Sequence, residues 1–246
     1  MSRKNFATAV GAVLICFAAA PLLARTPAAP ASVRAMRVRP AITVDRSAAI
    51  DADVSVDVLD LALGAVTCGV ASGDLSAPPT LTLIDYSRPS TQPRLWVFDL
   101  RSGTLLFTEL VAHGRNSGDN MATRFSDTME SRESSLGLFR TADSYVGHNG
   151  YSLRLDGLEP GFNSHARERA IVMHGAAYVD QGVAKANERL GRSFGCPALR
   201  EAVARHVIDT VRDGGVVFSY YPDPAWLRAS KFLNCGSTVL TTVATK

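Results

Sequence analysis

The chain has 246 residues, 46% of them hydrophobic, and a formal net charge of +3. That length and apolar content suit one sizeable core with extensions, and so small a charge gives no electrostatic case for a nucleic-acid partner. The sequence holds no C-x-x-C, no H-E-x-x-H and no phosphate-cradling glycine loop, so neither a metal nor another cofactor is expected.

Basic Arg3 and Lys4 precede an apolar run from Phe6 to Ala24, broken by small residues and Pro21. This is the pattern of a secretory signal peptide over residues 1–24. An uncleaved anchor is the alternative, but the run is Ala-rich and barely long enough to span a bilayer. Ile15 is too bulky to precede a lipidated Cys16. The expectation is export to the periplasm or cell envelope. Removal of residues 1–24 takes away two basic and no acidic side chains, leaving a charge of about +1.

Residues 25–50 are rich in Ala, Pro and Arg and read as a solvated linker. From there a helix is expected over 51–75, because Val54, Val58, Leu61, Ala65 and Cys68 recur at spacings of three and four. The period turns to two after Pro78-Pro79, where Leu81 and Leu83 alternate with Thr80 and Thr82. Leu95–Leu100 and Leu105–Phe107 flank Arg101-Ser102-Gly103, a hairpin signal. Glycines and polar residues from Gly114 to Ser135 predict a long ordered loop. Strands are expected at Gly137–Arg140, Ser152–Leu155, Ala170–His174 and Val216–Tyr221, with a helix over Glu201–Asp213 stopped by Gly214. The reading is a mainly β domain over 78–224 with peripheral helices, followed by a tail at 225–246.

Two segments carry chemistry. One ends in His174-Gly175; the other reads Ser193-Phe194-Gly195-Cys196-Pro197. A thiol is a useful nucleophile as thiolate, and an imidazole can take its proton and hold the ion pair. Gly195 is expected to keep the approach to the backbone open, so that the N–H groups of Gly195 and Cys196 face a developing oxyanion. A helix beginning just after Cys196 would add its dipole to the thiolate. A free cysteine is more often a small buried hydrophobe, and it is the setting that argues for catalysis here.

Gly191-Arg192-Ser193-Phe194-Gly195 also matches the serine-hydrolase elbow G-x-S-x-G. No strand pattern precedes it, and His206 alone follows, within an amphipathic stretch, so the match reads as accidental. His113 ends a strand, where it either lines a cleft or makes a structural hydrogen bond. His148 and His165 lie in polar stretches and read as surface residues.

Taken together, Leu83–Ser87, Arg94–Val97, Val111–Gly118, Ser134–Phe139, Ser152–Leu158 and the His174 and Cys196 segments resemble the L,D-transpeptidase (YkuD-like) family, in its murein L,D-transpeptidase catalytic-domain branch. The resemblance covers roughly residues 78–222. It implies a β-sandwich or barrel-like catalytic core, with Cys196 as nucleophile and His174 as base. It also implies peptidoglycan stem peptides as substrates, carbapenem β-lactams as inhibitors, no cofactor and no stable protein partner. His113, Gly175, Arg192 and Ser193 are expected as substrate contacts. The chain departs from the family pattern in two places. Phe194 stands where most members have a second histidine, and Ala198 where many have Asn or Arg, leaving Arg192 or Arg200 to substitute. The chemistry implied is transfer of a tetrapeptide acyl group to an amine, with hydrolysis (L,D-carboxypeptidase activity) or a catalytically weak wall-binding module as alternatives.

Spacing alone does not fix disulfide connectivity. Cys68 lies on the apolar helical face, Cys235 follows Trp226, Leu227, Phe232 and Leu233, and pairing Cys196 would destroy the nucleophile. A Cys68–Cys235 bridge is therefore expected in the exported chain.

Overall fold

The computed structural model describes residues 42–235. The expected signal peptide, residues 25–41 of the expected linker and residues 236–246 lie outside the described residues. No helix among the described residues is long and apolar enough to cross a membrane.

The linker expectation ends too late. Residues Arg46–Asp51 form a short helix, α1, because the Asp45 carboxylate accepts the Ala48 N–H and caps it. The chain breaks at Asp53, whose φ is +60°, so the single helix expected over 51–75 is two. The second, α2 (Val56–Ala71), starts at the Ser55 cap and carries Val58, Ala65 and Cys68 on its buried face.

Among the described residues, nine strands follow in one sheet. They are β1 (Thr80–Asp85), β2 (Leu95–Asp99), β3 (Leu105–Glu109), β4 (Val111–Ala112), β5 (Gly137–Gly147), β6 (Gly150–Gly157), β7 (Val172–Gly175), β8 (Ala198–Leu199) and β9 (Val216–Tyr220). Their order is β3-β2-β1-β9-β5-β6-β7-β8-β4. Pairing is antiparallel except for β1 with β9 and β7 with β8. The expected β2–β3 hairpin, the long ordered loop between β4 and β5, and the strand order along the chain are all present.

Period two in the sequence becomes two apolar faces. Leu81, Leu83, Trp96, Phe98, Leu138, Val216 and Phe218 pack with α2 and with α5 (Pro224–Ala229). Their neighbours Ile84, Leu95, Val97, Phe139 and Val217 pack with α4 (Glu201–Val211) on the other face. A sheet covered on both sides buries every residue of β1. The tail is not free within the described residues. Trp226 is fully buried, its Nε1–H donates to the buried Glu159 carboxylate at 3.1 Å, and Cys235 is joined to Cys68 by a disulfide with Cα atoms 5.9 Å apart.

Candidate active site

β7 delivers His174 and the loop before β8 delivers Cys196. Their parallel register pairs His174 with Ala198, so Cys196, two residues earlier, lies level with Val172. The Val172 N–H donates to Cys196 Sγ at 3.4 Å, and the thiol donates to the Ala170 carbonyl at 3.6 Å. Both side chains open into one cavity of about 540 Å³, lined also by His148, Asn149, Tyr178, Arg192, Phe194 and Glu201.

The ground state of the pair differs from the expected ion pair. Burial pushes the Cys196 thiol above its ordinary pKa, against the Val172 N–H and the Arg169 charge. Burial also pulls His174 below the usual histidine value, partly offset by the Gly175 carbonyl. Each group is thereby biased toward its neutral form. His174 Nδ1 lies 2.9 Å from Gly175 O. Facing a carbonyl, that nitrogen carries the proton, which leaves Nε2 as the basic atom. The expected helix dipole is also misplaced: β8 follows Cys196, and α4 begins only after the Arg200 cap.

Gly195 works differently from the expectation. Its φ is +124°, and a Cβ there would lie 2.8 Å from the Glu133 carbonyl oxygen and 2.8 Å from Ile171. The residue must be glycine so that the Ser193–Cys196 loop can lie on the 126–135 segment. Its N–H donates to Ser193 Oγ at 3.1 Å, which removes it as a free oxyanion donor in this conformation and leaves the Cys196 N–H as the expected donor still beside the thiol. Ser193 in turn donates to Cys196 O at 2.6 Å. Ser193 borders the cavity, but its hydroxyl is a clamp within the loop and not an elbow nucleophile. Residues Gln181–Asn187 before it form helix α3, and His206, exposed on α4, stacks edge-on against Phe107.

Of the other expected contacts, Gly175 and Arg192 border the cavity. Gly175 admits the start of α4, since a Cβ would meet Ala204 at 3.0 Å and Glu201 at 3.3 Å. Arg192 holds Gly118 O and Asp119, each at 2.9 Å. His113 is not a cavity residue. It is 1% exposed, with Nδ1 2.7 Å from the buried Arg94 guanidinium and Nε2 3.3 Å from Gly118 O. Burial and the Arg94 charge pull its pKa down to about 3, so it accepts from Arg94 as a neutral ring. Its own carbonyl accepts the Ser193 N–H at 3.0 Å, so it positions the Ser193–Cys196 loop from behind. Arg200 is bidentate on Glu109, at 2.8 Å for both contacts, and does not substitute at the cavity.

His148 is exposed, as expected, and it also borders the cavity. β5 and β6 run several residues past the strands expected from sequence and close in a two-residue turn, His148-Asn149, between paired Gly147 and Gly150. The signal was there in Gly-His-Asn-Gly, but not how far the hairpin reaches over the cavity. Phe194, 64% exposed, sits in the expected second-histidine position with Arg115 and Arg132 over its ring at 5.8 and 5.0 Å.

The L,D-transpeptidase catalytic domain family matches residues 50–220. No curated protein matches the sequence. Solved structures similar to the chain include an L,D-transpeptidase in complex with imipenem, at 15% identity, TM-score 0.35, covering 57% of this chain and 58% of that one. Another is an L,D-transpeptidase from Mycobacterium smegmatis, at 12% identity, TM-score 0.37, covering 58% and 59%. A third, from Stackebrandtia nassauensis, has 15% identity, TM-score 0.35, and covers 67% and 68%. The chain spans less than two thirds of the length of the first two. The match over residues 50–220 takes in most of the sequence, both faces of the sheet and both halves of the Cys196–His174 pair; the chain belongs to the L,D-transpeptidase catalytic domain family.

Proposed function

We propose that the chain is an exported peptidoglycan-remodelling acyltransferase that works through a Cys196 thioester. One observation carries the reading: a cysteine with no disulfide partner and a histidine with its Nε2 free of the Gly175 contact share one open cavity. Export is supported by the apolar N-terminal run and by the disulfide between Cys68 and Cys235.

The steps follow from the neutral pair. When the donor stem peptide enters, His174 Nε2 takes the Cys196 thiol proton as Sγ attacks the carbonyl carbon at the L-centre. In this reading the Cys196 N–H, left unengaged by Ser193, donates to the oxygen that becomes negative. The C–N bond to the departing D-alanine breaks, and His174 returns its proton to that amine, leaving a thioester. An acceptor amine then attacks the thioester carbonyl and gives its proton to His174. The C–S bond breaks, and the thiolate is reprotonated. An amine acceptor makes a cross-link, whereas water gives carboxypeptidase product. In this reading carbapenems acylate the same sulfur.

The test is intact-protein mass after exposure to a carbapenem, with muropeptide turnover alongside. A single adduct mapped to Cys196, with turnover lost in Cys196→Ala and kept in Ser193→Ala, is the expected result. Turnover in Cys196→Ala within tenfold of wild type would sink the assignment. Product analysis with and without an added amine acceptor separates cross-linking from hydrolysis.

A further inference from the structure

Beside the nucleophile lies a cation that the proposed mechanism does not use. Arg169 is half-buried just before Ala170, whose carbonyl meets the Cys196 thiol. Its guanidinium NH1 donates to Ser126 O at 2.6 Å and Ser135 Oγ at 2.5 Å, and its NH2 to Glu133 O at 2.7 Å and Ser131 Oγ at 3.0 Å. NH2 also lies 3.5 Å from where a Gly195 Cβ would stand. Every one of these acceptors is uncharged. None of the ion pairs among the described residues includes Arg169; its acidic neighbours are engaged elsewhere, Glu133 with Arg124 and Asp127 with His165. A half-buried cation fixed by four neutral acceptors, with NH2 against Gly195 and its chain neighbour Ala170 on the thiol, is arranged to hold an anion at that sulfur. Phe194, the residue two before the cysteine, brings no charge.

We propose that Arg169 is a positioning residue for the nucleophile: its guanidinium is the counter-charge against which Cys196 ionises, while its fork fixes the 126–135 segment under Gly195. The proposal builds on the reading of Cys196 as the nucleophile. It concerns the thiolate itself, however, and not what the thiolate attacks. Against a larger effect of burial on each group, Arg169 and Cys196 favour each other's charged form, with Asp127 acting on Arg169 ahead of the sulfur and Glu133 after it. The cavity that Cys196 lines also holds His174 from β7, Tyr178 after it, His148 from the β5–β6 turn, Arg192 in the preceding loop and Glu201 from α4; buried Tyr86 also acts on the sulfur, and Asp127 and Glu133 act on Arg169.

The test reads the pH dependence of iodoacetamide alkylation at Cys196, followed by peptide mass spectrometry so that other thiols do not contribute. An opposite charge at close range shifts a pKa by roughly one to three units. Arg169→Gln is therefore expected to move the alkylation midpoint upward and to slow alkylation about tenfold or more below it. Arg169→Lys, which keeps the charge and loses the fork, is expected to keep the wild-type midpoint. A Gln variant with the wild-type midpoint, or a Lys variant shifted as far as Gln, overturns the proposal. Should neither variant fold, the native chain decides. The Arg169 side-chain 15N signals should step at the midpoint of the thiolate absorbance near 240 nm, and that step should vanish in Cys196→Ser; a flat signal overturns the proposal. Failure of carbapenem acylation or muropeptide turnover, with the alkylation result intact, counts against the transferase reading alone.

Discussion

The Glu133 carbonyl oxygen lies 2.8 Å from the position a Gly195 Cβ would take, and Gly195 holds a φ of +124° above it. Backbone on one side and a left-handed conformation on the other leave a side chain nowhere to go. Gly195→Ala is expected to cost about 1–3 kcal/mol of stability and to lift the Ser193–Cys196 loop off the 126–135 segment. Urea unfolding measures the first effect and carbapenem acylation the second. An alanine variant with wild-type values for both would show that the loop relaxes freely.

His174 sits below and Cys196 above their ordinary pKa values, both chiefly through burial. The acylating form is then thiol with neutral imidazole. Its population rises as pH climbs through the lowered His174 pKa and falls only when Cys196 ionises, above the ordinary thiol value. Stopped-flow acylation should therefore show a plateau whose acid limb lies below the usual histidine midpoint. His174→Gln should reduce the plateau by about 10²–10⁴ with little effect on binding. An acid limb at or above the ordinary histidine value would show that burial does not lower the His174 pKa.

Much of this was legible in the sequence, and what was missed has physical causes. Strands buried on both faces still alternate, because Leu81 and Leu83 meet one core and Ile84 the other. The β2–β3 hairpin carried its own turn signal at Arg101-Ser102-Gly103. The structural hydrogen bond that the sequence allows for His113 is present and its place among the substrate contacts is not, because a histidine at a strand end looks the same whether it faces a cleft or a buried guanidinium; Arg94, its partner, is 19 residues away. Gly195 was correctly singled out for the wrong reason, since φ and the Glu133 carbonyl are not visible in a local motif. Nothing in the local sequence marks Arg169, since its four acceptors are spread over residues 126–135. Long-range contacts set these roles, and local pattern does not report them.

His113 gives a stability prediction with a definite sign. Its native pKa is pulled down to about 3, first by burial and then by Arg94. The unfolded chain therefore binds a proton that the native state refuses. The group's contribution is present above the ordinary histidine pKa and is lost as pH falls from there toward 3. His113→Phe should flatten that part of the stability–pH curve. It should also leave the buried Arg94 guanidinium short of an acceptor, costing about 1–3 kcal/mol near neutral pH. Denaturant titrations at several pH values check both effects, and an unchanged acid slope in the variant would assign it to other groups.

The Cys68–Cys235 bridge closes a loop with a sequence separation of 167. In the chain-entropy account so long a loop constrains the unfolded chain by about 3–5 kcal/mol. The bridge ties the segment after α5 to α2, on the face where Trp226 and Phe232 are buried in the first core. The Cys196 cavity shares no lining residue with the hollow beside Cys235. Stability and chemistry should therefore separate. Cys235→Ser is expected to melt lower and unfold at lower urea, while its carbapenem acylation rate at Cys196, measured well below the melting temperature, stays at the wild-type value. A variant that keeps wild-type stability would show that the docked apolar side chains hold the tail without the bridge. A variant that loses acylation while still folded would show that the helical layer reaches through the sheet to Cys196.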